Sequence, residues 1–109
     1  MGWSTAQSRA LYNLARWGEG YFDVGDHGGL LVRPDHGVSD AAVDLRELAA
    51  ALHAKGLRLP VLVRCNGILR DRLDRLCQAF DAARERHGYQ GGYTAAYPIK
   101  VNQQFSVVS

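Results

Sequence analysis

The chain has 109 residues, of which 47% are apolar and 22% are charged, and its formal net charge is +2. This length suits one small globular domain. The weak net charge gives no electrostatic reason to expect binding to nucleic acid or to an anionic membrane. No apolar run approaches the length of a membrane span, and the first residues, MGWSTAQSRA, lack the apolar core of a signal peptide.

The residues that most often bind metals show no useful spacing. The two cysteines, Cys65 and Cys77, do not form a CxxC pair, and the four histidines are not arranged with them as zinc ligands. No metal ligand is therefore assigned from the sequence. Two cysteines without a disulfide pattern favour a reduced, cytoplasmic protein.

The first third of the chain is predicted to be a helix followed by a β-hairpin. Ser4 and Gln7 have the spacing of a capping box, in which each side chain accepts a hydrogen bond from the backbone N–H of the other. The short amphipathic helix that follows is expected to stop near Gly18. Residues 21–24 and 30–33 are short strand candidates, and the sequence GDHGG between them is a strong turn signal.

The middle of the chain alternates helices and strands. Asp44 is placed to cap a helix that ends at Gly56, with one apolar face made of Leu45, Leu48, Ala49 and Leu52. Residues 59–64 are apolar on both sides, which is typical of a strand in a parallel sheet covered by helices. The next helix is expected to be capped by Asn66, to end at Gly88 and to bury an apolar stripe consisting of Leu69, Leu73, Leu76, Cys77, Phe80 and Ala83.

Residues 93–104, YTAAYPIKVNQQ, are predicted to form a buried strand that is preceded by two glycines and closed by polar residues. Together with the strand 59–64 and the helix between them, they form a right-handed βαβ unit in which the two strands are parallel neighbours. The carboxyl ends of these strands place Cys65 and residues 100–102 at one edge. Barrel enzymes carry their active sites at that edge.

Lys100 is a charged residue inside this apolar run, and the chain has only one other lysine, Lys55. An ammonium group between Ile99 and Val101 must be solvated, paired or neutralised. Position alone favours a lysine that extends its amine to solvent from a strand end. The alternative is a reactive amine at the mouth of a sheet. Asn102, two residues further on, fits either a residue that orients the lysine or an ordinary turn residue.

The segment YPIKVNQQ at 97–104 resembles the cofactor-lysine segment of the biosynthetic arginine decarboxylases. These are pyridoxal phosphate (PLP) enzymes of the alanine racemase/ornithine decarboxylase barrel class. Three other segments are similar to that family in order and spacing, namely YNL at 12–14, WGEGYF at 17–22 and ILRDR at 68–72. The resemblance covers essentially the whole chain and corresponds to the family's N-terminal portion.

The resemblance implies an α/β fold, the N-terminal portion of a PLP-binding β/α barrel preceded by a short helix and a β-hairpin. The expected division is an N-terminal extension at residues 1–38 and the first, incomplete β/α units of the barrel at 39–109. Since a complete TIM barrel takes about 250 residues, we expect an N-terminal fragment. Alone, it is expected to expose apolar strand edges, to be marginally stable or aggregation-prone, and to lack catalytic activity.

The resemblance also implies a function for Lys100, which would be both catalytic and cofactor-binding and would hold PLP as a Schiff base. The implied reaction converts L-arginine to agmatine and carbon dioxide, a step of polyamine and spermidine biosynthesis. Members of the family often also need magnesium, and their active sites lie between subunits, which implies a homo-oligomer. Two alternatives stay open: another decarboxylase or racemase of the same barrel class, and a non-catalytic truncated module that assembles with a full-length subunit.

Overall fold

The computed structural model describes residues 2–109, which form two compact units: one extends to Ile68 and the other is Leu69–Ser109. The first unit contains α1 (Thr5–Leu11), α2 (Leu14–Trp17), β1 (Phe22–Val24), β2 (Leu30–Val32), β3 (Val43–Asp44) and α3 (Leu45–Ala54). The long helix α4 (Asn66–His87) starts there and continues into the second unit. The second unit also contains a 3-10 helix (Ile99–Val101) and α5 (Phe105–Val108).

The predicted capping box defines the start of α1. The Ser4 hydroxyl accepts a hydrogen bond from the Gln7 N–H at 3.2 Å, and the Gln7 side chain accepts one from the Ser4 N–H at 2.8 Å. The single helix expected up to Gly18 is divided in two, because Asn13 lies in the left-handed region with φ at 54°. Asparagine adopts this conformation more readily than most residues. After the break, Leu14 is buried.

The sheet has the order β1-β2-β3 and is antiparallel throughout. The predicted hairpin is confirmed, since Phe22 pairs with Val32 and the Gly25 N–H donates to the Gly29 carbonyl at 2.8 Å across the turn. On the other edge of β2, Val32 also pairs with Val43 of β3. The sequence does not predict β3, because two residues are too few to show a periodicity.

The core of the first unit consists of Leu14, Tyr21 and Val32, of which Val32 is only 1% exposed. The helix α3 packs on β2 and β3. Its predicted apolar face is half-buried there and comprises Leu45, Leu48, Ala49 and Leu52. A sheet with one face covered by a helix is therefore the centre of this unit.

Asp44 caps α3 as predicted. Its Oδ1 atom accepts hydrogen bonds from the Arg46 N–H at 2.8 Å and from the Glu47 N–H at 3.2 Å. At the other end, Gly56 follows the helix with φ at 86°, a backbone conformation that glycine adopts without strain. Both boundaries of α3 are thus fixed by residues within one turn of it.

A charged cluster joins α1 to the hairpin. Arg9 donates from Nε to Asp23 Oδ1 at 2.6 Å and from Nη2 to the Val24 carbonyl, and Arg33 Nη2 lies 3.7 Å from Asp23 Oδ2. Partial burial alone would raise the pKa of Asp23. The hydrogen bonds from Arg9 and from the Val24 N–H, together with the two guanidinium charges, outweigh that effect and hold the pKa below its ordinary value. Asp23 therefore stabilises the folded state as a carboxylate.

In the second unit, α4 forms as a long helix but does not bury its predicted stripe. Asn66 is its first residue rather than its cap, and Gly88, with φ at 61°, follows its last residue as expected. No residue of α4 is buried, and Leu69, Leu73, Leu76 and Phe80 are each 45–51% exposed. The stripe was predicted to be buried because such a stripe normally faces a sheet. The second unit, to which most of α4 belongs, contains no strand.

The two strands predicted after α3 are wrong. Residues 59–64 and 93–98 have no regular secondary structure, and Lys100 lies in the 3-10 helix Ile99–Val101. A strand forms only when another strand satisfies its backbone groups. All strand pairs among the described residues lie between Phe22 and Asp44. The structure therefore has α/β composition with an antiparallel sheet, and the predicted βαβ unit is absent from residues 2–109.

The barrel portion, and with it the predicted division at residues 1–38 and 39–109, stays a prediction.

We expect the substitution Asp44→Ala to lower the free energy of unfolding of the first unit by about 1 kcal/mol, because two N–H groups lose their acceptor. Both tryptophans, Trp3 and Trp17, lie in this unit, so urea unfolding followed by tryptophan fluorescence reports on it. Asp40→Ala, at an exposed position in the preceding loop, is the control and should change the free energy by less than about 0.5 kcal/mol. Equal losses in the two variants would contradict the capping role.

A second substitution, Asp23→Asn, keeps the shape of the side chain and removes its charge. At pH 7 we expect a loss on the order of 1 kcal/mol in the free energy of unfolding. Because the pKa of Asp23 is lowered in the folded state, the carboxylate stabilises the fold above its unfolded pKa. That contribution disappears as the pH falls through the folded value.

The difference between Asp23→Asn and the unmutated chain should therefore shrink below about pH 4. Urea titrations at a series of pH values measure it. Asp26→Asn, at an exposed position in the hairpin turn, is the matched control. A difference that stays constant down to about pH 2 would show that the charge of Asp23 does not stabilise the fold.

Candidate active site

Lys100, the predicted cofactor lysine, lies at an exposed position in the second unit. It is the middle residue of the 3-10 helix, in which the Val101 N–H donates to the Pro98 carbonyl at 3.0 Å. Pro98 precedes this turn in an extended conformation, with φ at −75°. Its ring fixes that φ angle and removes an N–H donor. This arrangement leaves the Lys100 amine open to reagents from solvent.

The polar residues beside Lys100 bind to the segment itself. The Tyr97 hydroxyl donates to the Asn102 carbonyl at 3.3 Å, and Asn102 Oδ1 accepts from the Gln104 N–H at 3.0 Å. The second of these contacts is that of an asparagine stabilising a turn. Of the two roles that the sequence left open for Asn102, the structure shows the turn residue.

The other side chains weighed from the sequence are not brought into a common site. Cys65 directly precedes α4 in the first unit, and its carbonyl accepts from the Ile68 N–H at 3.0 Å. Across residues 2–109, no three His, Cys, Asp or Glu side chains lie together as metal ligands. Within the same range, no helix has the length and apolar character needed to cross a membrane.

One aromatic contact joins α4 to the segment that leads to Lys100. The rings of Phe80 in α4 and Tyr93 stack with their centroids 4.3 Å apart and their planes at 10°. Beside this pair lies an open, mainly apolar groove of about 430 Å³, which is lined by Phe80, Ala83, Arg84, His87, Tyr89, Gly92 and Tyr93. Lys100 does not line it. The stack holds Tyr93, at the start of residues 93–104, against α4. Hydrogen bonds within turns order the end of this segment around Lys100.

The residues present fit one requirement of a PLP site. The cofactor binds covalently to a primary amine, and the exposed Lys100 side chain supplies one. The neighbouring Tyr97, Asn102 and Gln104 groups are engaged in contacts within the segment. The attachment of a cofactor to Lys100 stays a prediction.

Sequence reasoning missed the Arg9–Asp23–Arg33 cluster of the first unit. These residues come from α1, β1 and the end of β2, and they meet only because the hairpin folds back on α1. Their spacing in the sequence carries no motif. The sequence signal that relates to this cluster was the predicted hairpin. Its register places Asp23 opposite Leu31, two residues before Arg33.

Sequence comparison identifies known proteins that are similar to this chain. Biosynthetic arginine decarboxylase from Chromobacterium violaceum is 55% identical over 108 residues, which is 99% of this chain and 17% of the relative. The proteins of the same name from Alkalilimnicola ehrlichii and Pseudomonas aeruginosa are 50% and 51% identical over 106 residues, 97% of this chain and 17% and 16% of their own lengths. No family model matches the chain.

This chain is homologous to one segment of the biosynthetic arginine decarboxylases. The resemblance predicted from YPIKVNQQ and the three flanking motifs is thereby confirmed. The chain spans about one sixth of the length of the curated relatives that it matches. Lys100 lies within the matched segment, because the alignment with the Chromobacterium violaceum protein covers 99% of the chain.

The exposure of Lys100 leads to a direct test with an amine-acylating reagent. Lys55, at the C-terminal cap of α3, is also exposed, so both lysines should be acylated at rates within about threefold of each other. Peptide mass spectrometry after timed labelling of the 109-residue chain measures both rates. If Lys100 is protected more than about tenfold relative to Lys55, the segment forms the buried strand predicted from the sequence instead of an exposed turn.

Proposed function

We propose that this chain provides the cofactor-lysine segment of an arginine decarboxylase, in which PLP is attached to the side-chain amine of Lys100. The reaction converts L-arginine to agmatine and carbon dioxide. The observation that carries the proposal is the 50–55% identity to three proteins named biosynthetic arginine decarboxylase, over 97–99% of the chain. The exposed Lys100 amine in a locally ordered turn supports it.

In such a reaction, bound PLP supplies an electron sink for the pair left behind when the carboxylate departs. The part played by this chain is attachment. Lys100 holds the cofactor through its amine, and the Val101–Pro98 hydrogen bond fixes the backbone on which that amine is carried. Lys55 offers the same functional group at the end of α3, but it lies outside the segment that resembles a cofactor-lysine site.

The 109-residue chain alone is proposed to be inactive. Recognition of the PLP phosphate and of the arginine side chain requires groups that surround both molecules. The polar neighbours of Lys100 are occupied within their own segment. We therefore infer that the remaining site residues come from other segments of a longer polypeptide, in a cytoplasmic homo-oligomer that serves polyamine biosynthesis.

A second function is assembly without catalysis. The observation that favours it is the apolar stripe of α4, whose large side chains are about half exposed along the helix. Exposed stripes of this size normally lie in an interface or under another element. On this proposal the chain binds to a decarboxylase subunit through α4, and Lys100 has no chemical role.

A chimera distinguishes the two functions. This chain replaces the matched segment of the Chromobacterium violaceum relative, and the product is assayed for release of carbon dioxide from L-arginine. We expect activity in the chimera and a fall of about three orders of magnitude or more in Lys100→Ala, because the cofactor loses its attachment. Lys55→Ala is the matched control and should keep activity within about twofold.

A readout independent of activity accompanies this assay. After incubation with PLP and reduction with borohydride, mass spectrometry should locate the cofactor on Lys100 of the chimera and find none on Lys55. In the 109-residue chain, the same treatment should modify both lysines to a similar extent. An active chimera whose Lys100→Ala variant keeps full activity would overturn the attachment role and favour the assembly function.

A further inference from the structure

The first unit contains a cleft that the proposed decarboxylase function does not use. It has a volume of about 410 Å³ and lies where the hairpin meets the first two helices and the loop after β2. Its lining comprises Arg9, Leu14, Ala15, Gly20, Phe22, Asp23, Arg33, His36 and Gly37. The volume falls in the range of small-molecule sites.

The charges in this cleft do not cancel. Asp23 is the one carboxylate in the lining, whereas Arg9 and Arg33 are both cations there. Asp23 Oδ1 already accepts from Arg9 Nε and from the Val24 N–H, at 2.6 and 2.7 Å. The Arg9–Asp23–Arg33 cluster therefore has one positive charge in excess.

Arg33 is the residue with unused binding capacity. Its side chain is only 28% exposed, and its closest ionic contact, with Asp23 Oδ2, is 3.7 Å long. That distance exceeds the range of a hydrogen bond. A guanidinium has five N–H donors arranged as a planar fork, which matches the two oxygens of a carboxylate. No Arg33 nitrogen is among the buried atoms that lack a partner, so its donors are accessible to an anion that enters the cleft.

The apolar residues that line the cleft determine which kind of anion fits. Leu14, Ala15 and Phe22 contribute apolar surface to the same cleft, while Gly20 and Gly37 add no side chain. A compact inorganic anion leaves this apolar surface in contact with water. An organic carboxylate with a short hydrocarbon body covers it and places its charge on Arg33.

We propose that this cleft binds a small organic monocarboxylate, whose two oxygens pair with the guanidinium of Arg33 and whose hydrocarbon part lies against Leu14 and Phe22. The excess of one positive charge matches one carboxylate. Arg9 binds Oδ1 of Asp23 at 2.6 Å, and Oδ2 lies 3.7 Å from Arg33 Nη2, an ionic contact beyond hydrogen-bond range. The site is independent of Lys100 and of the decarboxylase proposal.

The test is a titration of the ¹⁵N-labelled 109-residue chain with sodium butyrate, at constant total salt, followed by two-dimensional NMR. We expect saturable shifts of the Gly20, Gly37 and Arg33 backbone amides and of the Arg33 Nε–H, with a dissociation constant on the order of 1–10 mM. Butyramide has the same shape without the charge and should give no saturable shifts. Inorganic phosphate should bind at least about fivefold more weakly than butyrate, because it leaves the apolar walls uncovered.

Two variants test whether Arg33 binds the carboxylate. Arg33→Gln should abolish the saturable shifts, and Arg33→Lys should weaken binding by about tenfold, because the charge remains but the fork is lost. Arg58→Gln, which changes an arginine outside the cleft lining, is the control and should bind butyrate as the unmutated chain does. If Arg33→Gln fails to fold, Arg33→Lys decides the question.

The proposal is overturned by any of four results: no saturable shifts up to about 50 mM butyrate, equal binding of butyramide, equal or tighter binding of phosphate, or unchanged binding in Arg33→Lys. A spectrum of the unmutated chain without dispersed Gly20 and Gly37 signals also overturns it, because the cleft then does not exist in solution.

Discussion

The pairing of β2 along both of its edges is the interaction on which the first unit depends. β2 has three residues, and a hairpin of that size is at best marginally stable in water. The third strand and the covering helix α3 supply what the hairpin lacks, and Val32, paired on both sides, becomes the most buried residue. Asp44 links the two additions, because it is the last residue of β3 and the cap of α3.

The part of the chain after α3 shows the same requirement, because the two strands predicted there do not form. A helix satisfies its hydrogen bonds internally, so α4 forms over 22 residues although none of them is buried. A strand depends on another segment for every hydrogen bond. Residues 59–64 and 93–98 have the composition of buried strands, but among residues 2–109 neither segment pairs as a strand. The apolar stripe of α4 is about half exposed, and a sheet is a surface on which such a stripe commonly packs.

The same physics explains which features the sequence can predict. The capping box at Ser4, the cap at Asp44 and the stop at Gly56 each involve residues a few positions apart, and the structure confirms all three. The hairpin also belongs here, because one short turn sets its register. Features that depend on distant segments were missed or wrong, including β3 and the buried strand around Lys100. The composition of a segment can indicate that it would form a strand if a neighbouring strand were present. It does not show whether residues 2–109 contain that neighbour.

The two candidate sites differ in what supports them. Lys100 was identifiable from a motif, and the homology to decarboxylases supports its proposed role, yet its surroundings are those of an ordinary exposed lysine. Arg33 has no motif around it, and its proposed role rests on a cleft that only the fold reveals. A cofactor lysine owes its selectivity to the groups around it. The residues that line the cleft around Arg33 all lie within this chain, so the proposed selectivity can be measured on the 109 residues alone.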